Sequence, residues 1–124
     1  MRTTYTIDLP PMPEAFHEAV KALLTKEKYK EVHYTNPDTG ADEIVWKFGN
    51  IMLLPRYIKL EYTASQLVIS GWIEGKSNFF AKKKPEWSLE GSPLTYGYAL
   101  KESTRKVIEK IIALADKGRQ TMPQ

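Results

Sequence analysis

The sequence contains no cysteine. Disulfides, zinc–thiolate centres and thiol nucleophiles are therefore excluded, and the absence fits a reducing cytoplasm, the expected location. No apolar run approaches the roughly 20 residues needed to span a bilayer; the longest, Ile51-Met52-Leu53-Leu54, stops at Pro55 and Arg56. The opening Met1-Arg2-Thr3-Thr4-Tyr5 lacks the apolar centre of a secretory signal. There is no internal repeat and no low-complexity linker. Gly91, Gly97 and Gly118 stand alone, so no phosphate-cradling glycine loop exists, and neither Ser70-Gly71 nor Ser92 sits in a nucleophile-elbow pattern. His17 and His33 have no second histidine one helical turn away, as a zinc site on a helix requires. No catalytic residue, metal or cofactor is expected.

What is present suits one folded domain. A chain of 124 residues buries roughly two-thirds of its unfolded surface, enough for a core without staples. Residues 1–118 read as the domain and 119–124 as a polar tail. The net charge is +3, and it is local. Lys76, Lys82, Lys83 and Lys84 face only Glu86 within residues 76–87, while the rest of the chain is balanced.

Tyr5, Ile7 and Leu9 alternate with polar residues, the period of a half-buried strand, until Pro10, Pro11 and Pro13 end it. Pro13 and Glu14 then open an amphipathic helix carrying Phe16, Val20, Leu23 and Leu24. A strand over 31–35 and another over 44–48 flank the turn formers Asn36-Pro37-Asp38-Thr39-Gly40. The segment 51–55 reads equally as a connecting strand or a buried crossover. Residues 57–62 and 67–73 form the clearest hairpin, and a short strand is expected around Trp87. Leu100, Thr104, Val107, Ile108, Ile111, Leu114 and Ala115 make the stripe of a long final helix, with Gly118 at the place of a C-cap. The expected class is α+β: an antiparallel sheet of five to six strands, two helices on one face, in the order β-α-β-β-β-β-α. By fold-level analogy this order matches helix-grip or TATA-binding-protein-like domains, an analogy that does not fix function.

Asp38-Thr39-Gly40-Ala41 reads like the motif of retroviral-type aspartic proteases. Those enzymes need the aspartate at the end of an apolar strand, where burial lets two carboxylates share a proton. Here Thr35-Asn36-Pro37 precede it, so the stretch reads as a turn and protease function is rejected.

Two places are left as candidate sites. The first is Lys76-Ser77-Asn78-Phe79-Phe80-Ala81-Lys82-Lys83-Lys84-Pro85-Glu86-Trp87. Lys76, Lys82, Lys83 and Lys84 beside Phe79, Phe80 and Trp87 suit a protein partner or an anionic surface such as a membrane. Nucleic acid is not the expected partner, since no recognition module is present. The plain alternative is a solubilising loop whose phenylalanines tuck under a sheet edge that the lysines protect. The second is a ligand pocket between sheet and last helix, lined by Trp46, Trp72 and Tyr98. Aromatic residues on strands are more often core than pocket.

Val45-Trp46-Lys47, the pair 57–62 and 69–73, Leu89-Glu90-Gly91 and the lysine-rich last helix resemble an uncharacterised family of small α+β domains from Gram-positive bacteria, over about residues 43–115. The resemblance implies a domain that relatives join to zinc ribbons or membrane segments, and it implies no activity or catalytic residue. This chain departs from it in having neither cysteines nor a spanning segment. The expected function is a non-enzymatic binding or interaction module. The alternative is a small hydrophobic-ligand carrier or helix-grip type enzyme.

Overall fold

Alternation in the first strand is also alternation in burial: within β1 (Thr3–Asp8), Tyr5 and Ile7 turn toward the core, while Thr4 and Thr6 are exposed. The computed structural model describes residues 2–49, 55–75, 84–94 and 97–120. Pro13 is the first residue of α1 (Pro13–Lys26), where a missing N–H costs nothing. Phe16, Val20 and Leu24 of this helix are buried. The helix stops in a Schellman arrangement: Lys28 takes the left-handed conformation (φ 69°), its N–H bonds Thr25 O, and Tyr29 N–H bonds Leu24 O. That turn buries Tyr29 beside Leu24 in the core.

The chain then builds β2 (Lys30–Thr35), β3 (Asp42–Phe48), β4 (Arg56–Tyr62), β5 (Gln66–Glu74) and β6 (Glu86–Trp87), and closes with α2 (Tyr98–Gln120). All strand pairs are antiparallel. The order across the sheet is β1-β5-β4-β3-β2, with β6 also paired to β5. The expected α+β class and element order hold, with six strands. Of the undecided segment 51–55, residues 51–54 lie outside the described residues.

Both helices cover the same sheet face. Leu67, Ile69 and Ile73 of β5 and Ile58 of β4 meet Phe16, Val20 and Leu24 from α1 and Val107, Ile108, Ile111 and Ala115 from α2. Gly71 lies at a tight point of this layer. A Cβ there would stand 2.7 Å from Leu89 Cδ1 and 2.8 Å from Ile108 Cδ1, so glycine lets the two buried side chains approach the strand closely. Gly118 departs from expectation. It lies inside α2, which runs on to Gln120, so residues 119 and 120 are helical rather than tail. The reason is contact: a Cβ at 118 would come 3.0 Å from Pro10 Cβ, and this packing outweighs glycine's weak helix preference. Residues 121–124 lie outside the described residues.

Candidate functional site

The register divides the aromatic residues between two faces. Residues opposite one another in an antiparallel pair share a face. Trp46 pairs with Ile58 and Ile58 with Gly71, so Trp46 belongs to the helix-covered side. Tyr57 pairs with Trp72, which puts both on the other side. There Val45, Tyr57 and Trp72 form a second buried cluster, with Val32 and Tyr34 packed against it. Tyr98 begins α2 and lines an open groove with Glu27, Glu102, Lys106 and Lys110. The expected trio Trp46, Trp72 and Tyr98 is therefore not brought together. Consecutive apolar residues in β5 concealed this, because that strand is buried on both faces.

Among the described residues no helix covers the second face, yet Trp72 and Val45 are fully buried. Tyr57 stacks on Trp72 (5.5 Å, 17°), and Tyr34 tilts against both rings. The Arg2 guanidinium lies 3.8 Å from the Trp72 ring centre. Arg2 also donates to two carboxylates. Nη1 and Nη2 reach Glu43 at 3.0 and 2.6 Å, and Nε and Nη2 reach Glu86 at 2.9 and 2.8 Å. Lys59 Nζ donates to Glu43 Oε2 at 2.5 Å, and Tyr34 O–H donates to Glu86 Oε2 at 2.8 Å. Residues from β1, β3, β4, β2 and β6, or the segment entering β1, are thus tied over one aromatic cluster.

The protonation states follow from these contacts. Hydrogen bonds from Arg2, opposed by burial and reinforced by Lys59, hold the Glu43 carboxyl down at about 2. Burial alone disfavours the Arg2 charge, but the hydrogen bonds and charges of Glu43 and Glu86 outweigh it and raise Arg2 above its ordinary value. Burial, then the Glu86 hydrogen bond and charge, raises Tyr34. Burial, then the charges of Glu74 and Glu86, pushes Tyr57 up to about 12. Glu43 therefore stays ionised and both tyrosines stay protonated around neutrality. Arg2, Lys59 and the Tyr34 hydroxyl all donate to the two carboxylates, so the contacts hold the charges of Glu43 and Glu86 in place.

The lysine-rich segment has a fixed base beside this cluster. Lys76, Phe79, Phe80, Lys82 and Lys83 lie outside the described residues; Lys84 and Trp87 are within them. Glu74 pairs with Glu86 and Ile73 with Trp87, and Gly75 N–H bonds Pro85 O at 2.8 Å, so the two ends of segment 76–84 stand side by side. The Trp87 indole packs over Gly75, where any Cβ would collide. Lys84 is exposed and ion-paired to Glu74 at 3.6 Å. A surface groove of about 340 Å³ opens at this root, lined by Tyr34, Thr35, Asn36, Pro37, Gly40, Glu74 and Lys84.

The remaining sequence candidates are resolved by geometry. Asn36 Oδ1 accepts the N–H groups of Asp38 (2.8 Å) and Thr39 (3.2 Å), and Gly40 has φ 75°. Asp38 is exposed in a turn, without the buried setting a protease aspartate needs. His33 is exposed and lies 3.7 Å from Asp42, while His17 stands edge-on to Tyr62 at 4.7 Å. Among the described residues no group of three ligating side chains is placed to hold a metal ion, and no helix is long and apolar enough to cross a membrane. The ionic cluster escaped sequence reasoning because its members, Arg2, Glu43 and Glu86, are 41 and 84 residues apart. Comparison with family models, curated proteins and solved structures gives no match for this chain.

Proposed function

We propose that this chain is a non-enzymatic binding module that meets an anionic partner surface through the lysine-rich segment 76–87. The observation that carries the reading is the filled layer between sheet and α2, closely packed at Gly71. The alternative, a hydrophobic-ligand carrier or helix-grip type enzyme, needs that layer open by several hundred Å³. The sheet's other face is occupied by aromatic rings under a charge cluster in which Arg2, Lys59 and Tyr34 donate to Glu43 and Glu86. What the chain keeps in surplus is positive charge, and it sits in a segment whose ends are pinned between β5 and β6. Such a surplus attracts acidic surfaces and falls off within about 8 Å at physiological salt.

The test replaces Lys82, Lys83 and Lys84 together with Glu. Binding of both proteins is titrated against vesicles containing phosphatidylserine, against polyglutamate and against duplex DNA. The unmutated protein is expected to bind one acidic probe at low salt and to lose it steeply as salt rises. The triple variant should fold with an unchanged melting curve, since surface ion pairs such as Lys84–Glu74 contribute little to stability, and should lose the binding. An unmutated protein indifferent to all three probes at low salt would remove the proposal.

A further inference from the structure

The two edges of the sheet are finished differently. Along the β1 edge, the Thr3 hydroxyl accepts Leu89 N–H at 2.8 Å, and the Asp8 carbonyl accepts the Arg119 guanidinium. β6 occupies the same edge of β5 beyond β1. Among the described residues, the β2 edge has no such cover. Lys30–Thr35 pairs with β3 alone, and no hydrogen bond among the described residues reaches its outward backbone groups. The strand has six residues, an unbroken register, no proline and no glycine. Proteins usually blunt such an edge with a bulge, a proline or a covering element, because it is a template for another strand.

The apolar cluster of the second face runs to this edge instead of closing before it. Val45 leads to Val32, and Tyr34 lies along the same strand. On the helix side, Ile44 pairs with His33 and is 56% exposed. Lys30, Val32 and Tyr34 share one face of β2, and Glu31, His33 and Thr35 the other.

We infer that the β2 edge pairs with the β2 edge of a second copy of this chain, antiparallel, about a two-fold axis through Val32. The occupant and register follow from charge. Continuing both sheets with like faces together requires the axis to pass through a residue, so that opposing side chains lie on one face. An axis at Glu31 sets two carboxylates against each other, and cross-strand like charges are destabilising. An axis at His33 opposes two imidazoles and leaves Lys30 without a partner. An axis at Tyr34 engages only the last three residues of the strand. The axis at Val32 sets Glu31 against His33 twice, Lys30 against the Tyr34 ring twice, and Val32 against itself. Each contact is favourable. The two six-stranded sheets then join into one, and the two Val45–Tyr57–Trp72 clusters meet across Val32. Asp42, which already faces His33 within the chain, adds a second carboxylate on the imidazole. A ribbon this narrow buries less than a standard interface of about 1,600 Å², so the dimer is reversible and concentration-dependent.

The inference does not depend on the lysine-rich segment and is tested apart from it. The chain has no cysteine, so a single introduced thiol reports its own symmetry mate. In Val32→Cys the two Cα atoms stand about 4.5–5.5 Å apart across the axis, within disulfide range. In Lys30→Cys they are offset by four residues, roughly 13 Å, beyond reach. Oxidation is expected to cross-link the first and spare the second. By sedimentation velocity, Glu31→Lys should weaken the dimer about tenfold through its two exchanged pairs, and Glu31→Lys with His33→Glu should restore it. Glu31 and His33 are exposed, and thermal melts check that each variant folds. An unmutated protein that sediments as a monomer up to its solubility limit overturns the inference. So does a dimer in which Lys30→Cys cross-links as readily as Val32→Cys.

Discussion

Replacing Glu43 with Gln removes the central acceptor of the ionic cluster without removing its shape, and the effect should depend on pH. In the folded chain the carboxyl is held at about 2, against an ordinary value of 4.5, chiefly by its hydrogen bonds from Arg2. At 1.36 kcal/mol per pH unit, that difference corresponds to about 3 kcal/mol. The side chain is only 10% exposed, so solvent screening reduces the figure little. It is an upper value, because Arg2 keeps Glu86 and Gln still offers a carbonyl oxygen. The sign follows from proton linkage. As pH falls below 4.5 the unfolded chain takes up the proton first, so this stabilisation is complete above 4.5 and lost on the way down to about 2. Glu43→Gln should therefore destabilise the fold by about 2–3 kcal/mol at neutral pH, and the deficit should shrink toward zero near pH 2. Urea unfolding followed by tryptophan fluorescence at stepped pH reads both quantities, since Trp72 lies under Arg2. A deficit of the same size at every pH, or none at neutrality, would refute the assigned role of the Arg2–Glu43 contact.

Two substitutions probe packing and backbone instead of charge. Gly71→Ala should lower stability by about 1–3 kcal/mol through overpacking against Leu89 and Ile108, although alanine is ordinarily the better strand residue. A melting temperature equal to the parent's would mean slack in the sheet–helix layer and would revive the carrier alternative. Lys28→Gly should raise stability by roughly 0.5–1 kcal/mol, because the left-handed residue that ends α1 carries a Cβ penalty that glycine lacks. Chemical denaturation showing a loss would place the strain of that turn elsewhere.

Strand and helix positions were readable because each strand alternates and each helix carries an apolar stripe, and the element order followed from them. The face assignment was not. In β5, Leu67, Ile69 and Ile73 face the helices, while Ser70 and Trp72 are buried on the other side, so nothing in the pattern separates Trp72 from Ile73. Register decides it, through the row Trp46–Ile58–Gly71, and register depends on pairings that one sequence does not display. The glycine after an apolar stripe read as a helix end for sound local reasons. At Gly118 the neighbour that overrides them, Pro10, is more than a hundred residues away. Charge was legible where it was clustered in sequence, as in residues 76–87. It was hidden where folding gathers it, as with Arg2, Glu43 and Glu86.

These assignments constrain where the molecule can meet anything else. The helix-covered side is closed by aliphatic packing that leaves no space for one extra carbon at position 71. The middle of the other side is closed by aromatic rings under Arg2, whose donors already face Glu43 and Glu86. A ligand entering either place would have to displace closely packed buried side chains, and breaking a buried charge pair costs several kcal/mol. The sheet's borders carry no such cost. The outward β2 backbone groups have no partner among the described residues, and the root between Gly75 and Pro85 brings the two flanks of the lysine-bearing segment together. Both borders adjoin the same aromatic cluster through Tyr34, which lies on β2 and bonds Glu86 of β6. Tyr34→Phe should lower stability by about 1–2 kcal/mol, because it takes one donor from the Glu86 carboxylate while leaving Trp72 buried; urea unfolding at neutral pH reads the loss, and a variant as stable as the parent would show that this bond adds nothing to the fold.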